Sequence, residues 1–397
     1  MSGVATLRRT GFALAVAAGV AGTGQAQQPD TVADTTRRPF VRGGVYDKPF
    51  QSRLLGRTAI GGYAEAHARW QATDGVTEGA GFVAKRFNLF THTRVSDLVR
   101  IGAELEVEEG GEELKLEYAA IDFLVHPALA VRGGMVLSPL GKFNLSHDSP
   151  LNEFTDRPLV SEALLGVALS EPGFGVLGQV PLRGTSRLTY EVYATNGFHS
   201  GLIDDSDEGT RIPLGRRNLE DNNQSPAFVG RLAWSPTVNH ELGVSAHRGA
   251  YNVFEVDGAA IDERRHLSIM VVDLETRLFG TTVSGEAAVA RINVPPGLRG
   301  IYAEKQHGWY LEGVRVLGHG LVRTLPESSI TFKLRWDFVK FDAANTGESA
   351  GRVTGGATFR PTRDSALKLD YARGRTRDRF NNLSRQALLL ASVATYF

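Results

Sequence analysis

Arg86, Arg94, Arg100 and Arg132 fall on the polar phase of successive alternating stretches. The run from Pro139 to Pro172 adds Lys142, His147, Asp148, Glu153, Asp156 and Arg157, and with Glu162 and Glu171 it holds two basic and five acidic residues. Neither set has the spacing of a catalytic or metal site. Fixed charges of both signs do another kind of chemistry: around narrow water they focus a field and sort ions by charge. Motifs for bond-making chemistry are weak here. Gly173-Phe-Gly-Val-Leu-Gly178 matches G-x-G-x-x-G, but Pro172 precedes it and strand-like sequence follows, so it reads as strand glycines rather than a dinucleotide turn. Asp204, Asp205, Asp207 and Glu208 lack the oxygen-ligand pattern of a calcium loop and read as a solvated segment. The histidines, His67, His92 and His126 among them, show no metal spacing, and no G-x-S-x-G elbow appears. A Ser, His and acid assembled in space on a barrel rim stays open as a competing reading, because such triads need no sequence spacing. No catalytic, cofactor or metal residue is assigned.

The elements that must carry these charges are strands. Leu98 to Glu108 alternates Val99, Ile101, Ala103, Leu105 and Val107 with Arg100, Gly102, Glu104, Glu106 and Glu108, a period of two. Ile330, Phe332, Leu334, Trp336 and Phe338 likewise oppose Lys333, Arg335 and Asp337. Such stretches recur near 58–70, 82–94, 98–108, 114–125, 128–138, 173–182, 186–196, 226–235, 241–250, 265–278, 281–292, 308–317, 329–341, 351–360, 365–376 and 385–397. That is about sixteen strands, each near the 9–11 residues of a tilted bilayer crossing. Their connections alternate short and long. Short ones include Ser96-Asp97, His126-Pro127 and Phe279-Gly280; long ones are expected near 71–81, 139–172, 197–225, 251–264, 293–307, 342–350 and 377–384. Glu109 to Glu112 is shorter, and Gly318 to Ser328 longer, than strict alternation allows. The pattern is that of an all-β, transmembrane antiparallel barrel of the outer-membrane type, with Pro139–Pro172 folded inward as a constriction loop. A soluble sandwich or a closed structural barrel would share the alternation. In a barrel this wide, the arginines would line a water-filled lumen and stay hydrated.

Composition narrows the function. The 397 residues carry 44 basic and 44 acidic side chains, so no basic excess points to nucleic acid, and no cysteine exists for a disulfide or thiolate site. Arg8-Arg9, the apolar run Gly11–Ala21 and Gly24-Gln25-Ala26 read as a secretory signal over 1–26. Residues 27–56, broken by Pro29, Pro39 and Pro49, read as a periplasmic lead-in or partial plug, and 57–397 as the barrel.

Several segments resemble a known family. Arg132-Gly-Gly-Met-Val-Leu-Ser-Pro-Leu-Gly-Lys-Phe-Asn144 and Phe154-Thr-Asp-Arg-Pro158 resemble the entry to the inward loop of porins of the phosphate-selective O/P group. Asp221-Asn-Asn, Val229-Gly-Arg-Leu-Ala-Trp-Ser-Pro236, Glu241-Leu-Gly-Val-Ser245 and the aromatic Phe397 are similar too. The resemblance implies a sixteen-stranded barrel in the bacterial outer membrane, commonly a homotrimer in contact with outer-membrane lipid, conducting small hydrophilic solutes or inorganic ions. Phosphate selectivity does not carry over readily: the family's constriction is lined by arginine and lysine, whereas Pro139–Pro172 is net acidic. The expectation is a channel of modest charge selectivity, with a phosphate- or anion-selective porin as the alternative. The loop acids are expected to face Arg86, Arg94, Arg100 and Arg132 across the narrowest water.

Overall fold

A computed structural model describes residues 44, 45, 48, 52–55, 57–205 and 207–397, with backbone alone at 52–55. The predicted signal over 1–26, and most of the lead-in over 27–56, lie outside the described residues.

Alternation becomes strand wherever it was read. The wall consists of β1 (Thr58–Thr73), β2 (Val76–Arg94), β3 (Val99–Glu108), β4 (Glu113–His126), β5 (Leu129–Leu137), β6 (Ser170–Pro181), β7 (Arg187–Thr195) and β8 (Ala227–Thr237). It continues through β9 (His240–Ala250), β10 (His266–Leu278), β11 (Thr281–Ile292), β12 (Lys305–His319), β13 (Ser329–Lys340), β14 (Ser349–Arg360), β15 (Ser365–Arg377) and β16 (Leu383–Tyr396). Each strand pairs antiparallel with its neighbours in sequence, and β16 pairs with β1 from Tyr396↔Tyr63 to Gln386↔Thr73. The sixteen strands thus form a closed ring, which leaves no edge and satisfies the ladder of every wall strand. A four-residue strand, Ser52–Leu55, adds to the start of β1.

The burial pattern is inverted relative to a soluble sandwich. On β13 the apolar Trp336 is 58% exposed, while Arg335 beside it is 2% exposed. Phe174, Phe228, Leu232, Leu334 and Leu369 also face outward. Charged residues inside and large apolar residues outside are what a lipid-facing wall requires.

One rim has short turns at 95–98, 127–128, 182–186, 238–239, 279–280 and 361–364, with one longer connection at 320–328, as expected near Gly318 to Ser328. The other carries the long segments 138–169, 196–226, 251–265 and 293–304. The expected long connection near 71–81 is absent. β1 and β2 run further than their apolar pattern and meet at Asp74-Gly75 alone, with φ of 50° and 87°. Two successive positive φ values make the tight hairpin turn that an Asp-Gly pair favours; the polar, glycine-rich stretch around it extends as strand because its backbone bonds are made across the hairpin.

The interior is not uniformly polar. Leu267, Ile269 and Val271 of β10, Ala288, Ala290 and Ile292 of β11 and Val229 of β8 form an apolar inner wall. Val160, Leu164, Leu165, Phe198, Leu202 and Ile212 from the two longest connections pack in the same cluster. Arg216 donates to the Gly166 carbonyl at 2.5 Å and so ties those two connections together. The Asp221-Asn-Asn segment is a clamp at the same rim: Asn223 donates to the carbonyls of Ala250 and Asn252 at 3.1 and 3.2 Å.

Candidate functional site: the 138–169 segment and the charged inner wall

After β5 the chain turns at Gly141, whose φ of +83° suits glycine and whose missing Cβ leaves room for the Glu286 carboxylate. Gly141 N donates to Ser245 Oγ at 2.9 Å and Phe143 N to Glu286 Oε1 at 2.6 Å, which anchors the segment to β9 and β11. Further along, Thr155 N donates to Asp370 at 2.8 Å and Leu159 N to Asp337 at 3.0 Å. In return Lys368 donates to the Ser149 carbonyl at 2.7 Å, Arg360 to that of Pro150 at 2.7 Å and Arg335 to that of Asp156 at 2.8 Å. A segment without regular secondary structure leaves its backbone groups unpaired, and here inward side chains of β13, β14 and β15 supply the partners.

Most charged residues of the segment have a partner; Glu162 is exposed. Lys142 lies 3.4 and 3.1 Å from Glu241 and Glu275. His147 accepts or donates at Glu117 and bonds the Asn144 carbonyl at 2.9 Å. Burial, reinforced by the positive charge of Arg157, pushes the His147 imidazole down to about 4. Asp148 receives the Lys48 ammonium at 3.1 Å and the Tyr396 hydroxyl at 3.0 Å. Glu153 pairs with Arg360 at 3.0 Å and Asp156 with Arg352 at 2.9 Å. Arg157 donates to the Val167 carbonyl at 3.3 Å, and its own carbonyl accepts from Arg352 at 2.9 Å.

The four arginines chosen from the sequence are placed differently from the loop acids. Arg86 bonds Glu65 at 2.8 Å and Glu108 at 2.7 Å, and Arg132 grips Asp122 through two bonds of 2.7 and 2.9 Å. Arg100 is buried on β3. Arg94 is exposed at the short-turn rim and pairs with Asp97 at 2.5 Å. The expected opposition of loop acids to these arginines is therefore replaced: Glu153 and Asp156 face Arg352 and Arg360 instead. Arg86 and Arg132 are also buried among polar groups and rings rather than bathed in a wide lumen: Arg86 reaches Ser149 of the segment at 3.4 Å, and Arg132 meets the Tyr193 hydroxyl at 3.2 Å and lies over the Tyr118 ring.

The residues missed in the sequence are Lys333, Arg335, Arg352, Arg360 and Lys368. All lie on the polar phase of β13 to β15, a signal that was present, but nothing local says which loop they meet. Between Arg335 and Glu312 on the wall and Glu153, Asp156 and Arg157 in the loop is a cavity of about 10 Å³, room for about one water.

No family model matches the chain. An uncharacterised protein of Aquifex aeolicus is 28% identical over 195 residues, which is 47% of this chain and 43% of that protein. The chain thus spans less than half the length of the curated relative it matches. Among solved structures, OmpF of Salmonella typhi in complex with daunomycin superposes with a TM-score of 0.56 at 10% identity, over 86% of this chain and 97% of that one. An anion-selective porin from Comamonas acidovorans gives 0.55 at 13% identity, over 86% and 99%. OmpT of Vibrio cholerae in its trimer form gives 0.53 at 9% identity, over 86% and 99%. The fold is that of the porin-like, sixteen-stranded outer-membrane β-barrels.

Proposed function

We propose that the protein is a channel of the bacterial outer membrane for passive diffusion of small hydrophilic solutes and ions, with modest charge selectivity, and that it works as a homotrimer. The segment from Pro139 to Pro172 is its constriction. The observation that carries this reading is the pairing of loop acids with wall bases, Glu153 with Arg360 and Asp156 with Arg352, where both acids also border a water-sized gap. Opposed charges there balance along the pore axis and leave a transverse field. Ions of either sign then pass with their charge partly compensated, which favours small ions over bulky solutes. The trimer reading rests on the family resemblance and on the trimeric Vibrio protein of like fold.

Purified, heat-modifiable protein should produce stepwise conductance in a planar bilayer, with small ohmic steps. A second reading is a barrel closed to solutes. The apolar inner wall formed by Leu267, Ile269 and Val271 with Leu164, Leu202 and Ile212 favours it. Folded protein that inserts and gives no steps at any voltage would overturn the channel and leave the closed barrel standing.

A further inference from the structure

Lys48 precedes the wall in sequence, yet its ammonium is buried against the inner face of β2 and β3. It pairs with Glu104, bonds Asp148 at 3.1 Å and lies 4.9 Å from the centre of the Phe90 ring. Tyr396 donates to the second oxygen of Asp148, and its ring meets Tyr63 and Phe90 edge-on at 5.9 and 6.3 Å. The Asn88 amide holds Glu104, Glu106 and Glu117 together at 2.9, 3.3 and 3.4 Å. Two other basic side chains nearby, Arg86 and the neutral imidazole of His147, are engaged elsewhere. Arg86 bonds Glu65 and Glu108 and reaches Glu106 only at 3.5 Å, and His147 holds Glu117. Among the described residues, Lys48 is the cation that Glu104 and Asp148 receive.

This is a built pocket. Carboxylates accept the three protons of a primary ammonium, and aromatic faces favour its charge. Two polar atoms remain over: Tyr63 Oη and Asn88 Oδ1, on side chains that are 0% exposed, have no hydrogen-bond partner among the described residues. A buried acidic cluster that loses its cation is left uncompensated, so the pocket demands an occupant.

We propose that the Glu104–Asp148–Phe90 pocket is a binding site for the primary ammonium group of a small solute, and that Lys48 fills it as an internal occupant. This deepens the channel reading and rests on it only for the route by which the solute arrives. Being tethered, Lys48 competes at a high effective concentration, so the unmodified protein binds free amines weakly.

Lys48→Ala opens the space of a propyl chain and its ammonium. Calorimetry on detergent-folded protein at low salt should show n-propylammonium binding at least tenfold more tightly to Lys48→Ala than to the unmodified protein. The gain should vanish when Glu104→Gln and Asp148→Asn are added. It should also be absent in Lys48→Met, which fills the space without charge. No gain in Lys48→Ala, or an equal gain in Lys48→Met, overturns the site. Should Lys48→Ala fail to fold alone, its refolding is titrated with n-propylammonium: recovery beyond that given by sodium at equal ionic strength supports the site, and no such recovery overturns it. A variant that binds the amine yet shows no bilayer conductance retains the site and removes the channel.

Discussion

Arg132 and Asp122 show why arginine occupies this inner wall. They are register partners on β5 and β4, both are buried, and the planar guanidinium meets the carboxylate through two parallel bonds. Removing one member leaves a buried charge without its counterion. Arg132→Leu should therefore lower stability by about 3–5 kcal/mol, and the pair Arg132→Leu with Asp122→Leu should recover much of it; urea titration of tryptophan fluorescence in detergent checks both. The loop pairs act on ions instead. Glu153→Gln with Asp156→Asn should expose Arg360 and Arg352 and move the zero-current potential in a salt gradient toward anions. Arg352→Gln with Arg360→Gln should move it toward cations. Both shifts should shrink near 1 M salt, where the Debye length is about 3 Å. Zero-current potentials unchanged in both variants would place these pairs off the permeation path.

At the scale of elements, β16 and β1 form the seam that makes the sheet a ring. Phe397 extends it: its N and O bond Gly62 at 2.9 and 3.1 Å, and its ring stacks on Phe87 at 5.5 Å. Phe397→Ala keeps the backbone bonds and loses the stack, a contact of about 0.5–1.5 kcal/mol. The temperature at which the folded band converts to the unfolded band on an electrophoretic gel should fall, and an unchanged conversion temperature would show that the seam does not need the ring. Strands such as β3 and β13 were legible in the sequence because one face is apolar and the other charged. β10 hid its orientation: Leu267, Ile269 and Val271 point in while Met270, Val272 and Leu274 point out, so both phases are apolar and the inner apolar wall left no period to read. The tip of the first hairpin carries no strand signal for a related reason, since Gly79, Gly81 and their neighbours have no apolar face to alternate. The loop was legible as a loop, from Pro139, Gly141, Pro150 and Pro158. Its partners were not, because Arg352 and Arg360 become its neighbours only when the ring closes. Lys48 lay in a proline-broken stretch without any period at all.

For the whole molecule, the inverted distribution of polarity sets what solvent the barrel tolerates. Trp336 and Leu334 on the outer face of β13 stand beside Arg335 and Lys333 on the inner face, one residue apart. A charge placed outward meets hydrocarbon: Trp336→Lys should cost up to about 2–4 kcal/mol if the position lies near the midplane, read as lost folding yield into lipid vesicles, while the same change at exposed Phe380 in the connection after β15 should have little effect. The loop contacts have a different consequence, one of timing. Thr155 bonds Asp370, 215 residues later, and Asp148 bonds Tyr396, 248 residues later. Contacts so distant along the chain form slowly. A chain emerging from its N-terminus makes β1 to β5 and the 138–169 segment long before β13 to β16 exist to receive it. Lys142 depends on earlier strands: until β9 and β10 are made it lacks Glu241 and Glu275, so trypsin should cut after it in a chain arrested before β9 and spare it in the finished barrel. The contacts of 138–169 with Asp370 and Tyr396 are therefore complete only once the strands at the far end of the chain are in place.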